Sequence, residues 1–174
     1  MIHFRHLFLD EINPSMDAAS LADIRKELAH QSPAELMELV VRLARFRLDN
    51  KALIGYWLFD RTNQAQFLAQ VHLALDEALA SMNFSSAYFV KKSLRKWQRQ
   101  VNLYGRICGE PWMLADLQGY YVWTCLRAQK KVMYPDYFDE LIRAAQRKFN
   151  TLLLKLEPDM QHDMQRQFER WINS

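Results

Sequence analysis

The side chains best suited to metal or proton chemistry are the histidines His3, His6, His30, His72 and His162. None stands four residues from another, the spacing that sets two imidazoles on one helix face around a metal. His3 and His6 share an irregular N-terminal end, and His162-Asp163 has no further ligand at productive spacing. His72 borders an apolar stripe, which suits a packed or partly exposed imidazole. Glu35, Glu38, Asp76 and Glu77 offer carboxylate pairs, but a di-iron bundle needs a pair of Glu-x-x-His motifs aimed into its core, and the chain holds no such pair. The glycine patterns of nucleophile elbows, phosphate loops and dinucleotide folds are absent. Cys108 and Cys125 lack zinc or redox spacing and suit small buried apolar positions in a reducing compartment. No catalytic residue, metal ligand or cofactor is therefore assigned.

Binding chemistry is more legible. Between Ser86 and Gly109 there is no acidic residue. At about 100° per residue, Lys91, Lys92, Arg95, Lys96, Arg99 and Arg106 fall on one arc from about 0° to 140°, with Tyr88 on the same side. Ala87, Val90, Leu94, Trp97, Val101, Tyr104 and Cys108 fall on the opposite side. An ordinary solvated face mixes signs, because like charges one turn apart repel. Lys91–Arg95, Lys92–Lys96 and Arg95–Arg99 are all like-charge pairs at that spacing. Arg127, Lys130 and Lys131 close the next helix, where they also complement the helix dipole. In an antiparallel hairpin they return beside Lys91 and Lys92. An acidic protein or a nucleic-acid backbone fits such a face, and Tyr88 is placed to stack on a base.

The elements that carry these residues read as helices throughout. A first helix follows Ser20. Ser32-Pro33-Ala34-Glu35 is a capping box with proline at the first helical position, and Leu36, Leu39, Val40, Leu43 and Phe46 form the apolar stripe behind it. Asp49-Asn50 offers a break before a third helix with Leu53, Ile54, Trp57 and Leu58. Asp60 to Asn63 forms the next connection, the fourth helix then runs to about Met82, and Asn83 to Ser86 interrupts before the basic helix. Pro111, Tyr134-Pro135-Asp136 and Glu157-Pro158-Asp159 start the last three. Tyr120-Tyr121-Val122-Trp123-Thr124-Cys125 favours strand by composition, yet Leu114, Leu117, Tyr121, Cys125 and Ala128 keep helical spacing through it. Trp57, Trp97 and Trp171 lie on apolar stripes and read as core. Trp112 and Trp123 fall less cleanly inside.

The expected fold class is all-α, a compact bundle or short superhelical stack of seven or eight antiparallel helices. Only 4 glycines and 5 prolines among 174 residues argue against a barrel or sandwich with a turn after every strand. Residues 1–17 read as an irregular arm and 18–174 as one domain. The net charge of +3 is unevenly spread: residues 86–131 carry 9 basic and 2 acidic side chains, so the middle of the chain holds the whole excess. No uncharged apolar run approaches the ~20 residues that span a bilayer, and the N-terminus lacks a secretory core. These features predict a cytoplasmic protein without membrane partners, and self-association into a homo-oligomer is compatible with them.

Ser32-Pro33-Ala34-Glu35-Leu36-Met37-Glu38-Leu39, Leu43-Ala44-Arg45, Asn50-Lys51-Ala52-Leu53 and Lys91-Lys92-Ser93-Leu94-Arg95-Lys96 together resemble an uncharacterised family of small bacterial all-helical proteins. The resemblance covers Leu21 to Trp171 and implies a helical fold, with no activity or site residues to transfer. The expectation is a non-enzymatic interaction module that uses the basic helix. The alternatives are a small enzyme or regulatory domain with an unrecognised site between helices, and a protein scaffold with no anionic ligand.

Overall fold

Helix-forming segments punctuated by capping residues set the elements in order. The computed structural model describes residues 19–173. The structure is 82% helical, with eight α-helices and no strand among the described residues. They are α1 (Leu21–Leu28), α2 (Pro33–Phe46), α3 (Leu48–Gly55), α4 (Gln64–Ala80), α5 (Ala87–Cys108), α6 (Pro111–Gln129), α7 (Asp139–Leu153) and α8 (Pro158–Ile172). The all-α expectation holds. The expected arm at residues 1–17 lies outside the described residues. The chain divides into two compact units after Leu43, within α2.

In the first unit both helix starts are capped by side chains. The Ser20 hydroxyl oxygen accepts from the Asp23 amide at 3.2 Å. The capping box forms in full: the Ser32 amide donates to Glu35 Oε2 at 2.8 Å, and the Glu35 amide donates to Ser32 Oγ at 3.3 Å. The Ser32 hydroxyl also donates to Glu35 Oε2 at 2.6 Å, and that bond first, then the one from the Ser32 amide, holds Glu35 below the usual carboxylate range. The apolar stripe behind the caps is not buried among the described residues, since Leu39, Val40, Leu43 and Phe46 remain exposed. Ile24, Leu28 and Leu39 line a groove between α1 and α2.

In the second unit, α3 starts at Leu48, one residue before the expected break at Asp49-Asn50. Arg47 adopts the extended N-cap backbone, and Asp49 enters the first turn, where the helix dipole favours an acid. At its end α3 widens into a π-helical turn, Tyr56–Asp60. An i→i+5 turn takes up extra residues and shifts the faces that follow. Tyr56 becomes buried while Trp57, expected in the core, is 58% exposed. The Arg61 guanidinium lies 4.3 Å over the Trp57 ring and covers one of its faces.

The core is built around α6, which α4, α5, α7 and α8 all pack against. Twelve of its 19 residues are buried, so it is enclosed nearly all round, and all of the twelve but Asp116, Gln118 and Thr124 are apolar or glycine. This is why the strand-favouring run Tyr120–Cys125 is helical. Burial of each large side chain contributes about 1.5–3 kcal/mol, more than the propensity difference of under ~0.7 kcal/mol per residue opposes. Gly119 lets α7 and α8 close in, since a Cβ there would stand 2.9 Å from Phe149 and 3.2 Å from Trp171. Two of its buried polar side chains find partners on backbone: Gln118 Nε2 donates to the Ala145 carbonyl at 3.3 Å, and the Thr124 hydroxyl to the Tyr120 carbonyl at 2.9 Å.

Candidate functional site

The basic helix α5 is bounded at both ends by local chemistry. Ser86 is its extended N-cap, with Oγ accepting from the Tyr88 amide at 3.3 Å. Gly109, at φ 72°, ends it in the left-handed conformation that side chains disfavour. Its apolar side packs on α6. The Tyr121 hydroxyl donates to the Leu94 carbonyl at 2.9 Å, and Gln98 Nε2 donates to Gln118 Oε1 at 3.1 Å. Gly105 lies against Leu114, where a Cβ would overlap the leucine side chain. Rising positions in α5 thus meet falling positions in α6, which makes the pair an antiparallel hairpin.

That hairpin sets the sequence-derived cations in different places. Lys92, Arg95, Lys96, Arg99 and Arg106 are exposed. Among the described residues none of them pairs with a carboxylate; the ion pairs there involve Asp49, Asp76, Asp116 and Glu140. Lys91 is half-buried at the edge of the arc. Its Nζ donates to the Tyr137 carbonyl at 3.2 Å and stands 4.2 Å over the Tyr137 ring. Tyr88 is 59% exposed and meets the Phe89 ring edge-on at 5.6 Å between centroids. The end of α6 returns to the start of α5: Lys131 Nζ lies 5.4 Å over the ring of Phe84, just before the N-cap, and Lys130 beside it is exposed.

Arg127 faces elsewhere. Its Nη2 donates to Asp76 Oδ1 at 2.5 Å, and its guanidinium lies 3.5 Å over Trp123. It belongs to the α4–α6 contact rather than to the exposed arc. On the other flank of α5, Lys148 of α7 donates to Asn102 Oδ1. Partial burial lowers the Lys148 pKa from that of a free lysine. At Asn102 the neighbouring helix therefore presents a cation rather than a carboxylate.

A second polar cluster, which the sequence reading did not assemble, sits between α4, α6 and α8. The buried Asp116 receives His72 Nε2 at 2.6 Å on Oδ1 and Gln167 Nε2 at 3.0 Å on Oδ2. The His72 ring stacks on Tyr120 at 3.8 Å, and the Tyr120 hydroxyl donates to Asp76 Oδ2 at 2.7 Å. Burial, then the bond to Asp76, raises the Tyr120 pKa well above that of a free tyrosine. The available signal was the four-residue step His72–Asp76 on one helix and Asp116–Tyr120 on another, each interrupting an apolar stripe. These groups are turned upon one another, the pattern of a structural polar network at the edge of a core: Asp116 is buried, and His72 and Asp76 are half-buried. Among the described residues no three His, Cys, Asp or Glu side chains converge to hold a metal ion, and no helix is long and apolar enough to cross a membrane. No protein-family model, curated protein or solved structure matches the chain.

Proposed function

We propose that the protein is an interaction module whose α5 face docks a polyanion, either an acidic protein segment or a nucleic-acid backbone. The observation that supports this reading is the row Lys92, Arg95, Lys96, Arg99 and Arg106, exposed and without a carboxylate partner among the described residues. Four-residue like-charge spacing works against the helix when it stands alone. A bound polyanion offsets that repulsion and releases its own counterions. Lys130 and Lys131 extend the face at the α5 start, and Lys91 ties it to the turn that carries Tyr137. A cytoplasmic setting goes with this reading, in keeping with the free, buried thiols of Cys108 and Cys125.

The test is binding of oligonucleotides and polyglutamate at low salt, for the wild type and for Arg95→Glu with Arg99→Glu. The expected result is salt-sensitive binding of at least one polyanion that is lost in the double variant. Failure of every polyanion to bind at low salt overturns the reading, as does equal binding by the variant.

A further inference from the structure

The basic row does not end in solvent at its N-terminal side. It runs into exposed aromatic rings. Tyr88, one turn before Lys92, is 59% exposed and lies on the same arc as the cations; Tyr137, against which Lys91 is fastened, is 46% exposed. Phe89 is also exposed and braces the Tyr88 ring edge-on. Large aromatic side chains left in water forgo the stabilisation of burial, and the adjacent core of this unit takes in Tyr56, Tyr120 and Tyr121.

From this juxtaposition we infer that the polyanion is a single-stranded nucleic acid, its phosphates along the cation row and an unpaired base on the Tyr88 ring. The inference rests on the polyanion reading above and names its partner. The carboxylates of an acidic peptide engage the row but offer no flat aromatic face to the ring. A duplex presents phosphates, but its base faces are stacked inside. An unpaired strand offers both at every nucleotide, and base–aromatic stacking tolerates any base because each has a π-face. The length agrees. From Lys92 to Arg106 the helix rises about 21 Å at 1.5 Å per residue. At 3.4 Å per phosphate that is about six phosphates of one stacked strand, against five cations.

The experiment uses the full chain and three probes: labelled oligothymidylate, a duplex of equal length, and polyglutamate. Each is titrated by fluorescence anisotropy against wild type, Tyr88→Ala, Tyr88→Phe, and Arg95→Glu with Arg99→Glu. Because Tyr88 is exposed, its variants keep the fold, and circular dichroism checks this. The expected result is preference for oligothymidylate, a loss of about 5- to 150-fold in Tyr88→Ala, and near-wild-type binding in Tyr88→Phe, which keeps the ring. Tyr88→Ala should leave polyglutamate binding unchanged. If oligothymidylate binds and the charge variant loses it, but Tyr88→Ala matches wild type, the stacking inference fails and the polyanion reading stands. Preference for the duplex or for polyglutamate likewise overturns the inference alone. If no probe binds at low salt, both fail together.

Discussion

Arg95→Glu should make the unliganded protein more stable. Arg95 lies one turn from both Lys91 and Arg99, and it is exposed with no carboxylate beside it among the described residues. A like-charge pair at this spacing costs about 0.2–0.5 kcal/mol, and an opposite pair gains a similar amount. Reversing one charge converts two repulsions into two attractions. The full swing is about 0.8–2 kcal/mol, and screening at an exposed site reduces it to about 1 kcal/mol at low salt. Arginine and glutamate have similar helix propensities, so the backbone contributes little to the difference. For a chain of this size the expected rise in Tm is about 2–4 °C. Differential scanning calorimetry in about 0.01 M and 1 M salt reads the effect, because the screening length falls from about 30 Å to 3 Å across that range. The rise should be present at low salt and mostly gone at high salt. A Tm lower than wild type at low salt, or a rise that salt does not diminish, refutes the claim that the arc is unpaired and self-repelling.

Other outcomes follow from the core. Gly55→Ala should stabilise by up to about 1 kcal/mol, since a Cβ there meets nothing within 4 Å, whereas Gly119→Ala should destabilise because its Cβ is driven against Phe149; urea midpoints that move the same way for both contradict the close approach at α6. Asp116→Ala strands His72 Nε2 and Gln167 and should cost about 2–3 kcal/mol, while Asp116→Asn keeps an acceptor and should cost less. Equal denaturation midpoints for Asp116→Ala and wild type would count against the network. Burial pushes the Cys108 thiol up to about 11 and the Cys125 thiol up to about 12, from 9.0. Folded values above the unfolded ones mean that this contribution is intact below pH 9 and is lost as pH rises through about 11 to 12. Unfolding free energy measured from pH 8 upward should therefore fall across that window in wild type and fall less in a Cys108→Ala, Cys125→Ala variant.

Local signals carried most of the secondary structure. Ser20, Ser32-Pro33-x-Glu35, Ser86, Pro111 and Glu157-Pro158 each mark a helix start that the structure keeps, because a cap or an N1 proline acts within one turn. Errors arose where a non-local or irregular feature decided the outcome. The π-turn after α3 has no sequence marker, so the helical spacing that points Trp57 into the core does not hold beyond Gly55. The stripe of α2 has the pattern of a buried face, yet burial depends on what lies opposite, and Leu39, Val40 and Leu43 remain exposed among the described residues. Within the candidate face, the wheel grouped Lys92 to Arg106 from spacing alone. Arg127 stands beside Lys130 and Lys131 in the chain, but its side chain lies on the α4 side of α6, where Asp76 and Trp123 hold it. The Asp116 cluster needed three helices to meet, and no single stretch of sequence records that.

The most direct test of the account is the salt dependence of oligothymidylate binding. Five exposed cations contacting phosphates of a single strand predict a slope of about −3.5 in log K against log salt. Arg95→Gln with Arg99→Gln removes two of them and should shallow the slope by about 1.4. A slope near zero in the wild type, or one that the double variant leaves unchanged, would contradict the assignment of the α5 face as the binding surface.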